Sequence, residues 1–507
     1  MTEISTAEET VEETETPETG DAGSPSYRDT FVFGRPEAPA VFDPVLAEDT
    51  ATTRLFHSLI PGLVQVDAEG KIVPDLAEFW EKSADDRTWT FHLRPGLRFA
   101  DGSEVTVDDW KFSFERARDT EDSYWRFAAA DIETISGTGD TLILKLSQAR
   151  PAFLASLTLF NMGLQSKAHF DSLGGSYEEG WPLGAGAYRI SSREQDETVL
   201  LEANPYYYKA GYPKTPHIRI EKIPEDSDRL MLLETGRLDL MSDVPYFGAS
   251  YTDLTEGLRV EEFPSTLCRY LVMNGEANPA LADPEVRNAL MMATDFGELI
   301  DRCLYGYGTR TNSFLSPITP GYDETLMPYR YDPEEARKVL EEKGYGDGLT
   351  IRLYLRKGLV LFEEIGVTLQ EQWKKAGVRV EIIPMDADEL KERQKDMDLD
   401  MVIGSWTEDI PDPSGFMEYL LVREHTSGFY TSWHSESAEA LYAAAKYEPD
   451  DQKRAELFIE IQRIVHDEAA LPALFCSNEI VAIRDEADGY LQTPYGQYIL
   501  ENVTVHD

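Results

Sequence analysis

The stretch "LTIRLYLRKGLVLFEEIGVTLQEQWKKAGVRVEIIPM", residues 349–385, decides the architecture. Its first eight residues, 349–356, read as a strand. A helical segment follows over 362–377, with Ile365, Leu369 and Trp373 four residues apart on one face. "VRVEIIPM" is a second strand. The short polar helix "ADELKERQK" and a third strand, "LDMVIGSW" (399–406), come next. This β-α-β-α-β succession predicts an α/β fold with a parallel sheet covered on both faces. Continuous apolar runs such as "LDMVIGSW" suit strands buried on both sides. In open α/β sheets ligands bind beyond the carboxyl ends of the strands. Arg356 closes the first strand, and Trp406, Thr407, Glu408 and Asp409 follow the last. A base and an acid therefore share one rim.

Outward from this block the same devices recur. "DPEVRNALMMATD" begins a helix with Asp283 as its N-cap and Pro284 in the first turn. "YDPEEARKVLEEKGYGDG" repeats the pattern with Asp332 and Pro333, and Gly344 stops it. Nearer the N-terminus, "TWTFHLRPGLRFADG" (88–102) alternates like a half-buried strand and ends in an Asp-Gly turn. "VDDWKFSFERAR" reads as a helix with Trp110, Phe114 and Ala117 on one face. Residues 1–26 are rich in Glu and Thr with no basic residue. Such a segment buries too little apolar surface to offset chain entropy, so a disordered acidic spacer is expected.

Composition narrows the function. The net charge of −47 disfavours nucleic acid, whose phosphates need basic grooves. It suits a soluble protein or one adapted to a salty or extracellular setting. No run of about 18 apolar residues marks a transmembrane helix, and no basic segment leads into an apolar signal core. The three cysteines, Cys268, Cys303 and Cys476, permit at most one disulfide, and spacing does not pair them.

Catalytic motifs are missing. There is no HExxH, no zinc-type Cys/His cluster, no GxSxG elbow, no Walker loop and no strand-linked GxGxxG. "DMDLD" (396–400) resembles the start of a calcium loop but lacks the turn glycine and the closing Glu. Glu408 and Asp409 are adjacent, and neighbouring side chains on a strand or turn point apart, which disfavours a two-carboxylate hydrolase. A non-enzymatic binding protein with no cofactor and no metal is the expectation.

The ordered blocks carry a resemblance. "VFDPV" (41–45), "PDLAEFWEKSADDRTWTFHLRPGLRFADGSEVTVDDWKFSFERA" (74–117), "PLGAGAYRI", "LEANPYYYKAG", "RLMLLETGRLDL" (229–240), "VMNGEANPALADPEVRNALMMATD", "YDPEEARKVLEEKGY" and "KRAELFIEIQRIVHDEAALPALF" appear in family order. The chain resembles extracytoplasmic solute-binding proteins of ABC importers, family 5, the class that includes dipeptide- and oligopeptide-binding proteins. The resemblance implies a two-lobed periplasmic-binding-protein-like fold with a hinge and an extra small α+β domain. It places lobe one at 27–57, 200–268 and 478–507, the extra domain at 58–199, and lobe two at 269–477.

It also implies roles. Asp409, in "SWTEDIPDPSGF", would bind a peptide ammonium, and Arg356 its carboxylate. Trp406 would form an apolar wall beside Thr407. Asn274, in "VMNGE", would lie near the crevice, and Thr50 and Ala51, in "EDTATTR" (48–54), would offer lobe-one backbone. "GAGAY" departs from the usual Gly-Pro-Tyr, and a structural role is expected there. Glu408 has no implied role. The implied partners are a short peptide and the permease of an ABC importer. The implied setting is extracytoplasmic, in the periplasm or at the cell surface through a lipid anchor, as a monomer. A sugar, a metal chelate or an opine on the same fold is the alternative, and the same fold also serves chaperone or adhesin roles.

Overall fold

The computed structural model describes residues 27–422 and 429–506, so the expected acidic spacer at 1–26 lies outside the described residues. Two large sheets organise the chain. The first has seven strands in the order Leu258–Phe263, Glu479–Arg484, Leu240–Met241, Thr30–Arg35, His217–Lys222, Val199–Ala203 and Tyr188–Arg193. It is assembled from the start, the middle and the end of the chain. The expected boundary at 199/200 cuts a hairpin, because Tyr188–Arg193 pairs antiparallel with Val199–Ala203. Cross-strand hydrogen bonds bind that hairpin to lobe one, so we propose moving the boundary to before Tyr188.

The second sheet runs Gly308–Thr309, Ala473–Ser477, Cys268–Met273, Met401–Trp406, Leu349–Arg356, Val378–Met385. Leu349–Arg356 is parallel to both Val378–Met385 and Met401–Trp406, as the β-α-β-α-β pattern predicts. The whole sheet is nonetheless mixed. Cys268–Met273 enters antiparallel between Met401–Trp406 and Ala473–Ser477. Both faces are covered. Met401 and Ile403 pack under the helices Pro284–Met292 and Val360–Trp373, while Val402 packs with Phe416, Tyr442 and Phe458 on the opposite side. Ile365, Leu369 and Trp373 are fully buried, which is why the four-residue spacing was legible.

The caps form as expected. Asp283 accepts from the Glu285 N–H, Asp332 from the Glu335 N–H, and Gly344 sits at φ +92° where the second helix ends. Two of the three acids of "DMDLD" are taken by arginines: Asp400 pairs with Arg352 and Asp398 with Arg393.

The extra domain is a four-stranded antiparallel sheet, Ala77–Lys82, Thr88–Leu93, Thr141–Leu146, Ile132–Thr138, backed by the helix Val107–Asp119. Trp110, Phe114 and Ala117 are fully buried in a core continuous with that of the seven-stranded sheet. The glycines of "GAGAY" are the price of close packing: a Cβ on Gly184 would lie 2.2 Å from the Leu59 carbonyl oxygen, and one on Gly186 2.2 Å from that of Ser58.

Two chain crossings join the large sheets. Residues 264–267 lead from Leu258–Phe263 into Cys268–Met273, and Asn478 leads from Ala473–Ser477 into Glu479–Arg484. They lie side by side, since the Ser477 N–H donates to the Leu267 carbonyl at 2.9 Å. Cys268 and Cys476 face each other beside this hinge and form a disulfide, leaving Cys303 free and buried.

Candidate functional site

The rim is built where the parallel strands end. Because Cys268–Met273 runs antiparallel, its first residues meet the last residues of Met401–Trp406, and Arg269 stands opposite Ser405. The chain after Trp406 leaves the sheet and crosses toward the other half of the molecule. Ile410 is buried within the core of lobe one and the extra domain. Its neighbour Asp412 is anchored behind, in a buried bidentate pair with Arg454 at 2.7 and 2.8 Å.

Glu408 and Asp409 diverge within this crossing. The Glu408 N–H donates to the Thr266 hydroxyl at 3.0 Å, and its carboxyl accepts from the Thr319 hydroxyl at 2.6 Å. Glu408 thus ties the crossing loop to the hinge segment, which accounts for a residue the sequence left without a role. Its Oε2 has no partner, and burial holds its pKa well above the usual carboxylate range. Asp409 faces elsewhere. Its charge, with that of Glu48, acts on the Tyr124 hydroxyl of the extra domain. That hydroxyl lies 2.7 Å from the hydroxyl of Tyr419, so the extra domain and lobe two touch here. Burial pushes the Asp409 carboxyl up to about 7, with no cation beside it among the described residues.

Between the two large sheets lies a cavity of about 570 Å³. Lobe one contributes Arg54, residues 242–247, residues 479–481 and Gln492. Lobe two contributes Arg269, Ser405 and the segment 358–362, which begins two residues after Arg356, and the crossing 264–267 contributes Leu267. Arg269 is the residue sequence reading missed. Its Nε and Nη1 are buried without a hydrogen-bond partner, and its guanidinium sits 5.8 Å from the Phe362 ring centre. The only sequence signal is a charged residue inside the otherwise apolar "CRYLVM". Its significance depends on which strand lies alongside.

The predicted residues fare unequally. Arg356 is exposed at the strand end and makes no ion pair among the described residues. Trp406 is half-buried and packs on Phe416, Tyr419 and Phe429 at ring distances of 5.4, 5.1 and 5.5 Å. It is an apolar wall, but one turned into the lobe-two core on the face opposite Arg269. Thr407 is half-buried at the start of the crossing. Asn274 does not belong to the site. It is 2 % exposed, its amide donates to the Met397 carbonyl at 2.8 Å, and its Oδ1 accepts from the Glu276 N–H at 2.9 Å. It is a turn residue. The "EDTATTR" segment is not a loop but the first turn of the helix Thr50–Leu59, capped by Asp49. The Ala51 carbonyl is already used by Arg35 at 2.8 Å, and Thr50 is exposed at the helix start.

Comparison with known proteins agrees with this two-lobed geometry. Residues 71–428 match the bacterial extracellular solute-binding proteins, family 5 middle. The dipeptide-binding protein of Escherichia coli K12 is 27 % identical over 94 % of both chains. The heme-binding protein A of Haemophilus influenzae is 26 % identical over 95 % of this chain and 93 % of its own. Among solved structures, the ABC transporter substrate-binding protein CtaP of Listeria monocytogenes superposes with a TM-score of 0.86 at 22 % identity, covering 95 % of this chain and all of the other. The periplasmic binding protein DppA of Helicobacter pylori, in complex with the peptide STSA, superposes with a TM-score of 0.76 at 23 % identity, covering 95 % and 99 %. On the extent of the sequence match, the chain belongs to the bacterial extracellular solute-binding proteins, family 5.

Proposed function

We propose that this protein captures a short peptide between its lobes and delivers it to the permease of an ABC importer. One observation carries the reading: a half-buried carboxyl, Asp409, stands where lobe two meets the extra domain, and no cation among the described residues pairs with it. A peptide ammonium would compensate it with a charge-assisted hydrogen bond. Basic groups at the same rim, including the exposed Arg356, suit the other end of a zwitterion. Thr407 is half-buried two residues before Asp409. The relatives named for dipeptides and for glutathione bind peptidic ligands and support this choice. The hinge crossings allow closure over the ligand, and the ligand favours the closed form only through contacts made there.

The competing reading keeps the fold and changes the solute. Relatives include a heme-binding protein, and a structural neighbour holds a nickel–histidine complex. Native mass spectrometry of the purified protein separates the two. Co-purified peptides of two to five residues support the proposal, and a bound chelate or sugar overturns it.

A further inference from the structure

The charges that line the interlobe cavity are paired to different degrees among the described residues. Arg54 donates to Glu479, with Nη1 to Oε2 at 2.7 Å, and its charge also acts on Asp243. Asp226 is paired with Arg229. Glu364 feels the charge of Arg302, though burial outweighs it. Among the described residues Arg269 has no ion pair: its Nε and Nη1 are buried and make no hydrogen bond, and Glu479, already held by Arg54, reaches it only through its charge. An unpaired buried guanidinium is costly unless something supplies an anion.

A second feature points into the same space. The helix Val360–Trp373 begins at the cavity wall, and its N-cap residue, Leu359, provides no side-chain cap. The N–H groups of Phe362 and Glu363 turn back to the Leu359 carbonyl, at 3.0 and 3.2 Å, which leaves those of Val360 and Leu361 open. Free first-turn N–H groups and the helix dipole favour an anion. Around them the wall is apolar, formed by Leu359, Val360, Leu361 and Phe362.

We propose that Arg269 and the N-terminus of the helix Val360–Trp373 form the seat of a ligand carboxylate attached to an apolar body. This deepens the peptide reading and rests on it only for the source of the carboxylate. Arg356, exposed at the outer end of its strand, meets the anion on arrival, and Arg269 holds it. Arg269 is then the residue that makes the protein discriminate a free carboxylate from an amide.

The test uses a probe that does not call on Asp409. N-acetyl-leucine carries a carboxylate and an apolar side chain but no ammonium. It should raise the melting temperature of the wild-type protein saturably. Arg269→Gln should weaken its apparent affinity at least tenfold. Val360→Pro removes one N–H at a helix position that accepts proline, and Leu359, at φ −98° and ψ 90°, tolerates a following proline. It should weaken the probe several-fold with the protein still folded, so the seat is tested even if Arg269→Gln fails to fold. No shift in the wild type, or equal shifts in the wild type, Arg269→Gln and Val360→Pro, would overturn the assignment. Calorimetry with Ala-Leu and its C-terminal amide reads the peptide proposal separately. If N-acetyl-leucine binds through Arg269 and Ala-Leu does not bind, the seat stands and the peptide reading falls.

Discussion

Peptide capture should fail on mild acidification, because the proposed ammonium anchor titrates near neutrality. The Asp409 carboxyl is pushed up to about 7 by burial, and only its ionised form can pair with an ammonium. It is about nine-tenths ionised at pH 8, about one-tenth at pH 6 and about one-hundredth at pH 5. The ligand α-amino group, with a pKa of about 8, loses its charge from the alkaline side. Multiplying the two fractions gives an affinity nearly level between about pH 7 and 8, down about fivefold at pH 6 and about forty-fivefold at pH 5. Isothermal titration calorimetry of Ala-Leu across this range reads the profile directly. At pH 7 binding should also release about 0.4 proton, since Asp409 gives up half a proton and the ligand amine takes up a little. Repeating the titration in buffers of different ionisation enthalpy measures that number. Asp409→Asn should bind at least tenfold more weakly at pH 7.5 and show no decline toward pH 5. An affinity constant within twofold from pH 7 to 5, or the same slope in Asp409→Asn, would refute Asp409 as the anchor.

Further outcomes follow from the same geometry. The raised Asp409 pKa means the folded, empty protein binds this proton more tightly than the unfolded chain does, so stability is lost as pH rises from about 4 through 7. Asp409→Asn should therefore melt higher than the wild type at pH 8 and alike at pH 4, by at most about 4 kcal/mol less the screening of a half-buried group. The Cys268–Cys476 bond spans 208 residues, so Cys268→Ser with Cys476→Ser should lower denaturant stability, with a chain-entropy limit of about 5 kcal/mol. Arg454→Ala strands the buried Asp412 and should cost about 3–5 kcal/mol in a urea melt. Gly186→Ala forces a methyl against the Ser58 carbonyl and should lower the melting temperature.

The sequence by itself determined what depends on local pattern. The four-residue spacing of Ile365, Leu369 and Trp373, the apolar run ending at Trp406 and the Asp-Pro helix starts are all properties of contiguous residues. Each forces its element because burial and capping act within a few residues of chain. These patterns alone give the parallel block and the strand ends at which Arg356 and Trp406 stand. The tertiary structure decided what depends on chains meeting. Cys268–Met273 enters the sheet antiparallel, which brings Arg269 to a rim that strand direction in its own segment would not indicate. Glu408 found its purpose only when Thr266 and Thr319, more than eighty residues away, came within hydrogen-bonding distance. Cys268 chose Cys476 over Cys303 because the two strands lie side by side. The Asn274 amide and the Ala51 carbonyl are likewise taken, by the Met397 carbonyl and by Arg35. A side chain's type is written in the chain, but whether it is paired or left waiting for a ligand is set by neighbours that only folding supplies.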